Sequence, residues 1–541
     1  MVTRNRRLDV AANIVLLIAC IAAAMGASIV LRQDANWDLQ NYHYYNPWAW
    51  VSGRIFTWDV AAAQLQTYHN ALLDLPFYAM VAAAWPPEWI AAMLAVPTGI
   101  AGFFLIKLLF VLFDDLPKQE RWIAIVCAFA MGMTSAIGIG VLGTTMNEWP
   151  LVALLLAALW LVARAVAKAP ATALSRRTLL LAGLLCGLAS GSKLTAATFA
   201  VGLCLAILLR GPYTRQAMVR TFVEAFVFGL GVLAGVAIAL GPWAWALWTH
   251  FGSPIFPYGN QWIKSPWWGE YEVLSRQYGP HQFIDWVLFP FRLIAPEPFY
   301  VTEVPYRDGR VAMTYLLALL AAAAWWSHRL SSRPYPVVQA GVSAAWRLIS
   351  IFFLTSFLLW TAQHSVYRYL LTLDLLTGAL IVTFLWRLLR PGYAAGIAIV
   401  VAVVIIATTR PTDWWRIDFG NQWFEVEMPK VEPNALVLIT TDQPVSYVLP
   451  SFPRDAKHLG VANNVNDPSR RTKMADLVNE TIAQHQGPIY QLTAPAGGGS
   501  NNLLPHRLWR DQTSCAEITT KMLTSKLELC RLYRVRDYER P

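Results

Sequence analysis

The sequence predicts a polytopic α-helical membrane protein carrying a small α/β domain at its C-terminal end. Of its 541 residues 56% are hydrophobic and 14% charged, a balance that excludes disorder, coiled coil and collagen-like repeats and disfavours an ordinary soluble enzyme. Apolar runs of roughly 17 to 25 residues recur along the first three quarters, and a ~30 Å hydrocarbon layer takes about 20 helical residues to cross. Beyond residue 410 the apolar runs shorten, become β-branched and alternate with polar stretches.

Apolar runs separated by polar breaks place about eleven membrane helices at 12–31, 88–113, 122–141, 149–163, 178–190, 195–209, 221–247, 311–327, 348–361, 369–386 and 393–409. The net charge of +10 belongs mostly to this membrane part, because the tail from Arg410 holds nearly equal numbers of acids and bases. Its distribution is a topology signal rather than a basic face for nucleic acid. Arg4, Arg6, Arg7, Lys118, Arg121, Arg164, Lys168, Arg176, Arg177, Arg387 and Arg390 fall in loops on one side, which becomes the cytoplasmic side. The first span has a basic leader but no small-x-small cleavage site, since Arg32-Gln33-Asp34 follows directly, so it is read as retained. A bacterial inner-membrane protein with a cytoplasmic N-terminus and a periplasmic C-terminal domain is the expectation.

The expected division is a membrane domain over 1–409, with large outer loops at 32–87 and 248–310, and an extracytoplasmic α/β domain over 410–541. Within the first loop, 71–84 is apolar yet too short to cross and reads as an interfacial helix. The second is rich in Trp, Tyr, Phe and Pro, a composition suited to the headgroup level. In the tail, ALVLIT (435–440), PIYQLTA (488–494) and LCRLYRV (529–535) read as strands, 471–484 as a helix and 497–502 as a linker. Cys20, Cys127, Cys186 and Cys204 lie inside spans, whereas Cys515 and Cys530 lie in the outer domain, where a disulfide is plausible.

Four polar constellations sit at the outer ends of spans. The first loop opens with Asp34, Asp38, Asn41, Tyr42, His43 and Tyr45. On a helix over 37–50, Asp38, Asn41 and Tyr42 or Tyr45 share a face, so Asn and Tyr would orient an acid able to deprotonate a hydroxyl; the plain alternative is an aromatic belt with surface acids. Asn147-Glu148 precedes the fourth span, and Glu148 reads either as a favourable helix-start charge or as half of a carboxylate pair. Lys193 sits where two short spans meet, as a functional cation or a snorkelling one. Arg368-Tyr369 opens the tenth span, with Asp374 deeper; Arg368 suits a lipid phosphate, or anchors at the interface, or pairs with Asp374.

These constellations, together with the segment His69-Asn70-Ala71-Leu72-Leu73-Asp74-Leu75-Pro76-Phe77-Tyr78 and Gly187-Leu188-Ala189 before Lys193, occur in the order found in the GT-C superfamily of integral-membrane glycosyltransferases. Over roughly residues 30–390 the chain resembles its bacterial family-39-like branch, which includes protein O-mannosyltransferases and the lipid A aminoarabinose transferase. It differs in having His69-Asn70-Ala71-Leu72 where a Pro-Pro-Leu-like turn is typical, and Asn-Glu where an Asp is usual. The resemblance implies a GT-C-like fold and transfer of a sugar from a polyprenyl-phosphate donor to a cell-envelope acceptor, at the outer face of the bilayer. It implies Asp38, or Asp34, as catalytic base, Glu148 as second acid, and Lys193 and Arg368 as phosphate ligands. His43 and His69 would be supporting groups, and Asn41, Asn147 and Tyr369 would complete the substrate-binding set. A divalent cation, Mg or Mn, held by Asp38 and Glu148 is left open.

The rival reading is a transporter or flippase of a lipid-linked or anionic substrate, with Lys193, Arg368 and Asp374 along its path; it lacks an internal repeat. A polysaccharide ligase or polymerase would favour a larger basic cluster for its diphosphate donor, and a non-catalytic receptor leaves the first-loop acids unexplained. No GxxxxGK[ST] or GxGxxG supports a nucleotide-sugar donor, and no HExxH or CxxC marks a metal site.

Overall fold

A computed structural model describes residues 2–169, 172–270, 278–331, 343–461, 463, 471–494, 503, 505–522 and 526–535. Each expected span is helical: α1 (Val2–Val30), α2 (Pro87–Leu112), α3 (Lys118–Met133), α4 (Glu148–Lys168), α5 (Arg176–Ser192), α6 (Ala197–Leu209), α7 (Arg215–Phe251), α8 (Arg310–Ser331), α9 (Ala344–Gln363), α10 (Leu371–Leu388) and α11 (Pro391–Thr408). Seven of them, α1, α2, α4, α7, α8, α9 and α10, are long and apolar enough to cross a membrane. The other four are shorter or less apolar by that measure.

Two spans differ from the sequence pattern for local reasons. The run 122–141 is two helices, because Ser135 adopts an extended conformation and its hydroxyl caps a separate helix, Ala136–Gly140, by accepting from Gly138 N–H. The run 221–247 lengthens at both ends into α7, started by the Thr214 hydroxyl and ended by left-handed Gly252. The segment 71–84 does form a helix, Leu75–Ala82, preceded by a 3-10 turn.

The most intimate helix pair is α5 with α7. A Cβ on Gly187 would meet the Val232 carbonyl, and one on Gly235 the Leu184 carbonyl. Spacing of small residues at four, in Gly183, Gly187 and Gly191 against Gly231 and Gly235, lets the two backbones touch where apolar lipid supplies little drive for association.

After α11 the chain builds a mixed sheet. Strands β3 (Leu436–Ile439), β4 (Lys457–Gly460), β5 (Ile489–Thr493), β6 (Leu508–Arg510), β7 (Ala516–Ile518) and β8 (Leu527–Arg534) follow a two-stranded ladder of β1 (Gln33–Asp34) with β2 (Arg416–Ile417). The main order is β4-β3-β5-β8-β6, with β7 also on β8; β3 is parallel to β4 and β5, and β8 is antiparallel to its neighbours. The helix Lys473–Gln484 packs Met474, Ala475, Val478 and Ile482 inward. The three strands read from sequence are present, β4, β6 and β7 were too short to read, and the linker at 497–502 lies outside the described residues. A disulfide joins Cys515 to Cys530, tying the start of β7 to β8, while Cys20, Cys127, Cys186 and Cys204 are free thiols.

Among the described residues the two large hydrophobic cores, beside a small cluster of Ala24, Ala95 and Leu142, divide the molecule. One fills the helix bundle. The other is continuous from the loop after α1 (Leu39, Tyr45, Ile55, Tyr68) through the end of α7 (Trp243, Phe251) into the sheet (Leu436, Val437, Leu459, Leu492). In the connection between α7 and α8, the helix Phe283–Arg292 turns Asp285, Phe289 and Pro290 inward and leaves Phe283, Ile284, Trp286 and Val287 exposed, the pattern of a helix lying in an interface.

Candidate active site

Four helix ends meet at one end of the bundle, and each delivers one charged group. Past α1, the chain coils through a five-residue π turn, Leu39–His43, with Asp38 at its start. Asn147, left-handed at φ +67° as Asn tolerates, turns the chain so that Glu148 opens α4. At the end of α5 the backbone becomes extended at Lys193, which frees its side chain from the helix. Arg368 and Tyr369 lie on the 3-10 turn Tyr367–Leu370 that leads into α10.

The four charges form two pairs, each of a buried carboxylate with a half-buried cation. Arg368 Nη1 donates to Asp38 Oδ2 at 2.5 Å, and Lys193 Nζ donates to Glu148 Oε1 at 2.5 Å and to the Met146 carbonyl at 3.1 Å. The Tyr369 ring lies between the cations, 5.1 Å from Lys193 Nζ and 5.4 Å from the Arg368 guanidinium carbon. Burial pushes the Asp38 carboxyl up, but Arg368, then His43 and Lys193, outweigh it and hold the group below the usual carboxylate range. Asp38 is therefore an anion at neutral pH, and a neighbouring cation holds it so.

Around the pairs runs a polar belt. His43 Nδ1 is 2.8 Å from Asp74 Oδ1, and Asn147 Nδ2 donates to the same oxygen at 2.6 Å; the other imidazole nitrogen, Nε2, is buried without a hydrogen bond. His69 Nε2 is 2.7 Å from the Tyr258 hydroxyl, and its ring meets Tyr42 edge-on at 5.3 Å. Burial, above all, lowers the His69 pKa to about 4, so it is a neutral imidazole at pH 7. Asp74 and Tyr258 are the members that site reasoning from sequence did not single out. Asp74 was visible in the quoted His69 segment, and a carboxylate inside an apolar run was the signal; Tyr258 comes from a distant loop with no signal of its own.

Four expected residues stand elsewhere. Asp34 is consumed inside the loop, accepting from Asn36 N–H at 3.1 Å, Asn36 Nδ2, Thr145 N–H at 2.9 Å and the Thr145 hydroxyl at 2.9 Å. Asn41 donates to Gln66 Oε1 and the Ala63 carbonyl, and Tyr45 to Asp59, so neither orients Asp38 as a regular helix would require. The π turn is the reason: its i to i+5 spacing inserts a residue and rotates the following side chains out of register. Asp374 does not pair with Arg368; Tyr367 donates its hydroxyl to it at 3.0 Å.

An apolar groove of about 520 Å³ lies between α2, α4 and α5, lined by Pro97, Ile100, Phe104, Pro150, Leu154 and Trp160 among others; of these Pro150 stands two residues past Glu148 on α4. Among the described residues, the group of three close donor atoms is Cys515, Glu528 and Cys530, and the two sulfurs there are bonded to each other.

No family model matches the chain, and no curated protein matches it in sequence. Its fold is similar to that of ArnT from Cupriavidus metallidurans bound to undecaprenyl phosphate, with a TM-score of 0.50 at 11% identity over 96% of this chain and 97% of that one. An oligosaccharyltransferase of Archaeoglobus fulgidus in the apo form scores 0.42 at 12% identity, and AglB from the same organism, with an inhibitory peptide and a dolichol-phosphate, scores 0.40 at 12%; each covers 88% of this chain and 69% of its own. The architecture is thus a membrane protein of GT-C-like fold. At 11% identity the likeness to ArnT concerns the fold, and the chemistry has to be argued from the site.

Proposed function

We propose that this chain is a glycosyltransferase that moves a sugar from a polyprenyl-phosphate donor to a hydroxyl acceptor of the cell envelope, at the outer face of the bacterial inner membrane. The observation that carries this is the convergence of the Asp38–Arg368 and Glu148–Lys193 pairs at one end of the bundle, on a fold that also holds an apolar groove whose lining includes Pro150, two residues past Glu148. An anionic head needs cations, a prenyl tail needs an apolar channel, and an acceptor hydroxyl needs a base. The ArnT structure with undecaprenyl phosphate supports the donor class by fold analogy.

In this mechanism the donor phosphate competes with Asp38 for Arg368 and with Glu148 for Lys193. Arg368 offers a planar fork for phosphate oxygens, and Lys193 a compact charge. As Arg368 turns to the phosphate, Asp38 loses the cation that holds its basicity down and becomes a better base. Asp38 takes the acceptor proton, the acceptor oxygen attacks the anomeric carbon, and the bond from that carbon to the phosphate oxygen breaks with inversion. The leaving polyprenyl phosphate keeps the electron pair, stabilised by Lys193 and Arg368. A divalent cation would have to displace both protein cations from Asp38 and Glu148, so no step is routed through one.

The test is transfer of labelled sugar from synthetic polyprenyl-phosphate sugars to membrane acceptor extract by purified protein. Asp38→Asn is expected to lower turnover at least about 10²-fold, the usual contribution of a general base, with unchanged yield and monodispersity. Full turnover in the variant overturns the assignment of the base, and labelled lipid crossing reconstituted vesicles without transfer favours the transporter instead.

A further inference from the structure

A second cavity, of about 240 Å³, lies where three parts of the chain meet: the first outer loop at Phe56–Tyr68, the end of α7 at His250 and Phe251, and the β4 and Lys473–Gln484 face of the sheet domain. Its walls are aromatic. Phe56 stacks on His250 with centroids 4.7 Å apart, Phe251 meets Trp267 edge-on at 5.4 Å, and Trp58 stands at the rim with 39% of its surface exposed. Trp58 is fixed by its indole N–H, which donates to the Ala456 carbonyl at 3.0 Å.

The polar groups are few and placed around the rings. Lys457 Nζ lies 5.1 Å from the Trp58 ring and has no salt-bridge partner among the described residues; Thr57, Thr481 and His250 complete the polar lining. The acid of the pocket, Asp59, is already engaged by Arg54 and His458. A purely apolar guest would leave the ammonium and hydroxyls facing hydrocarbon, and a small cation would meet Lys457. The cavity is also smaller than a site for a drug-sized ligand.

We propose that this pocket binds one hexopyranose unit of the glycan acceptor. A pyranose has an apolar C–H face, which Phe56, Trp58 and Trp267 can cover, and a ring of hydroxyls, which Lys457, Thr481 and His250 can meet; aromatic side chains with polar neighbours suit such a two-faced guest. The position fits an acceptor subsite. Tyr68 lines this cavity, and the next residue, His69, belongs to the belt around Asp38. The proposal rests on the transferase reading for its biological role, but sugar binding itself can be measured without turnover.

The experiment is saturation-transfer NMR on the purified full-length protein in detergent, with no donor present, using methyl α-mannoside, methyl β-glucoside, methyl β-galactoside and methyl glucuronoside at millimolar concentration. At least one glycoside is expected to receive magnetisation. Trp58→Ala and, separately, Lys457→Met are expected to weaken its binding about tenfold, the loss of one ring contact near the upper end of its usual worth. Asp38→Asn is expected to abolish transfer while leaving this signal in place, which separates the two readings. No signal from any glycoside, or a signal that both pocket variants retain in full, overturns the proposal. Binding that is lost in Trp58→Ala while the acceptor KM stays at the wild-type value overturns the acceptor role.

Discussion

Asp38 and Arg368 illustrate how one contact sets both the resting state and the chemistry. Burial beside a π turn makes a carboxylate anion costly without a cation, and a guanidinium sunk at a helix start is costly without an anion. Each makes the other tolerable until a phosphate arrives. Arg368→Lys keeps the charge but loses the planar two-pronged donor, so it is expected to raise the donor KM about tenfold or more; an unchanged KM would mean that Arg368 serves only to hold Asp38. His69 makes a different residue-level prediction. Its folded pKa of about 4 lies below the ordinary 6.5 because burial disfavours the imidazolium. Between those values the unfolded chain takes up a proton that the folded chain refuses, so the His69 contribution to stability is complete above pH 6.5 and is lost as pH falls toward 4. Thermal unfolding in detergent is expected to show a rising Tm from pH 4 to 6.5 that flattens in His69→Gln. An equally steep rise in that variant assigns the slope to another group.

At the scale of elements, the sequence was most legible where one physical constraint dominates. A bilayer requires long apolar helices, and every expected span is helical, down to the cation left at the α5 end and the acid at the α4 start. The site was legible to the extent that its charges sit at those ends. It was illegible where backbone geometry decides, as at the π turn, which turns Asn41 and Tyr45 away from Asp38, and where a loop 189 residues away supplies Tyr258 to His69. Short strands without a β-branched apolar run, such as β4 (Lys-His-Leu-Gly) and β6 (Leu-Trp-Arg), escape a reading that finds the equally short but apolar β3. The close α5–α7 contact at the glycines before Lys193 has a consequence for the site. Gly187→Val would drive its Cβ into the Val232 carbonyl and pry apart the pair that aims Lys193 at Glu148. The expected outcome is a lower Tm and a raised donor KM in the same variant, because the helix that must shift is the one whose end carries Lys193. A lower Tm with a normal KM would show that α5 yields without moving its end.

At the scale of the molecule, the sheet and the loop after α1 share one core. The core that begins at Leu39 and Tyr45 continues into Leu436, Val437 and Leu459, and Val60 forms a parallel bridge to Leu459, accepting from Gly460 N–H at 2.8 Å. The charged seam is equally shared. Arg54 donates to Asp59 at 2.9 and 3.0 Å, and from the sheet side to the carbonyls of Arg454 and Ala456, while Asp59 also meets His458 at 3.2 Å. Burial alone would raise the Asp59 pKa, but His458 and Arg54 together hold it below the usual range, so this is an ion cluster that needs all its members. The fragment that carries Asp38, His43 and Asp74 is therefore held in shape partly by residues four hundred positions later. A chain ending at Thr409 would keep the bundle core and the Arg54–Asp59 pair but lose the Arg454 and Ala456 carbonyls and His458, leaving a buried ion pair with unmet hydrogen bonds. The loop is expected to open rather than bear that cost. Trypsin provides the readout, since Arg54 is 6% exposed in the full chain and should resist cleavage there, yet be cut early in the truncated protein, with loss of transfer. Continued protection of Arg54 in the truncated chain would mean that the loop folds on the bundle alone and that the sheet domain is an addition to a finished site.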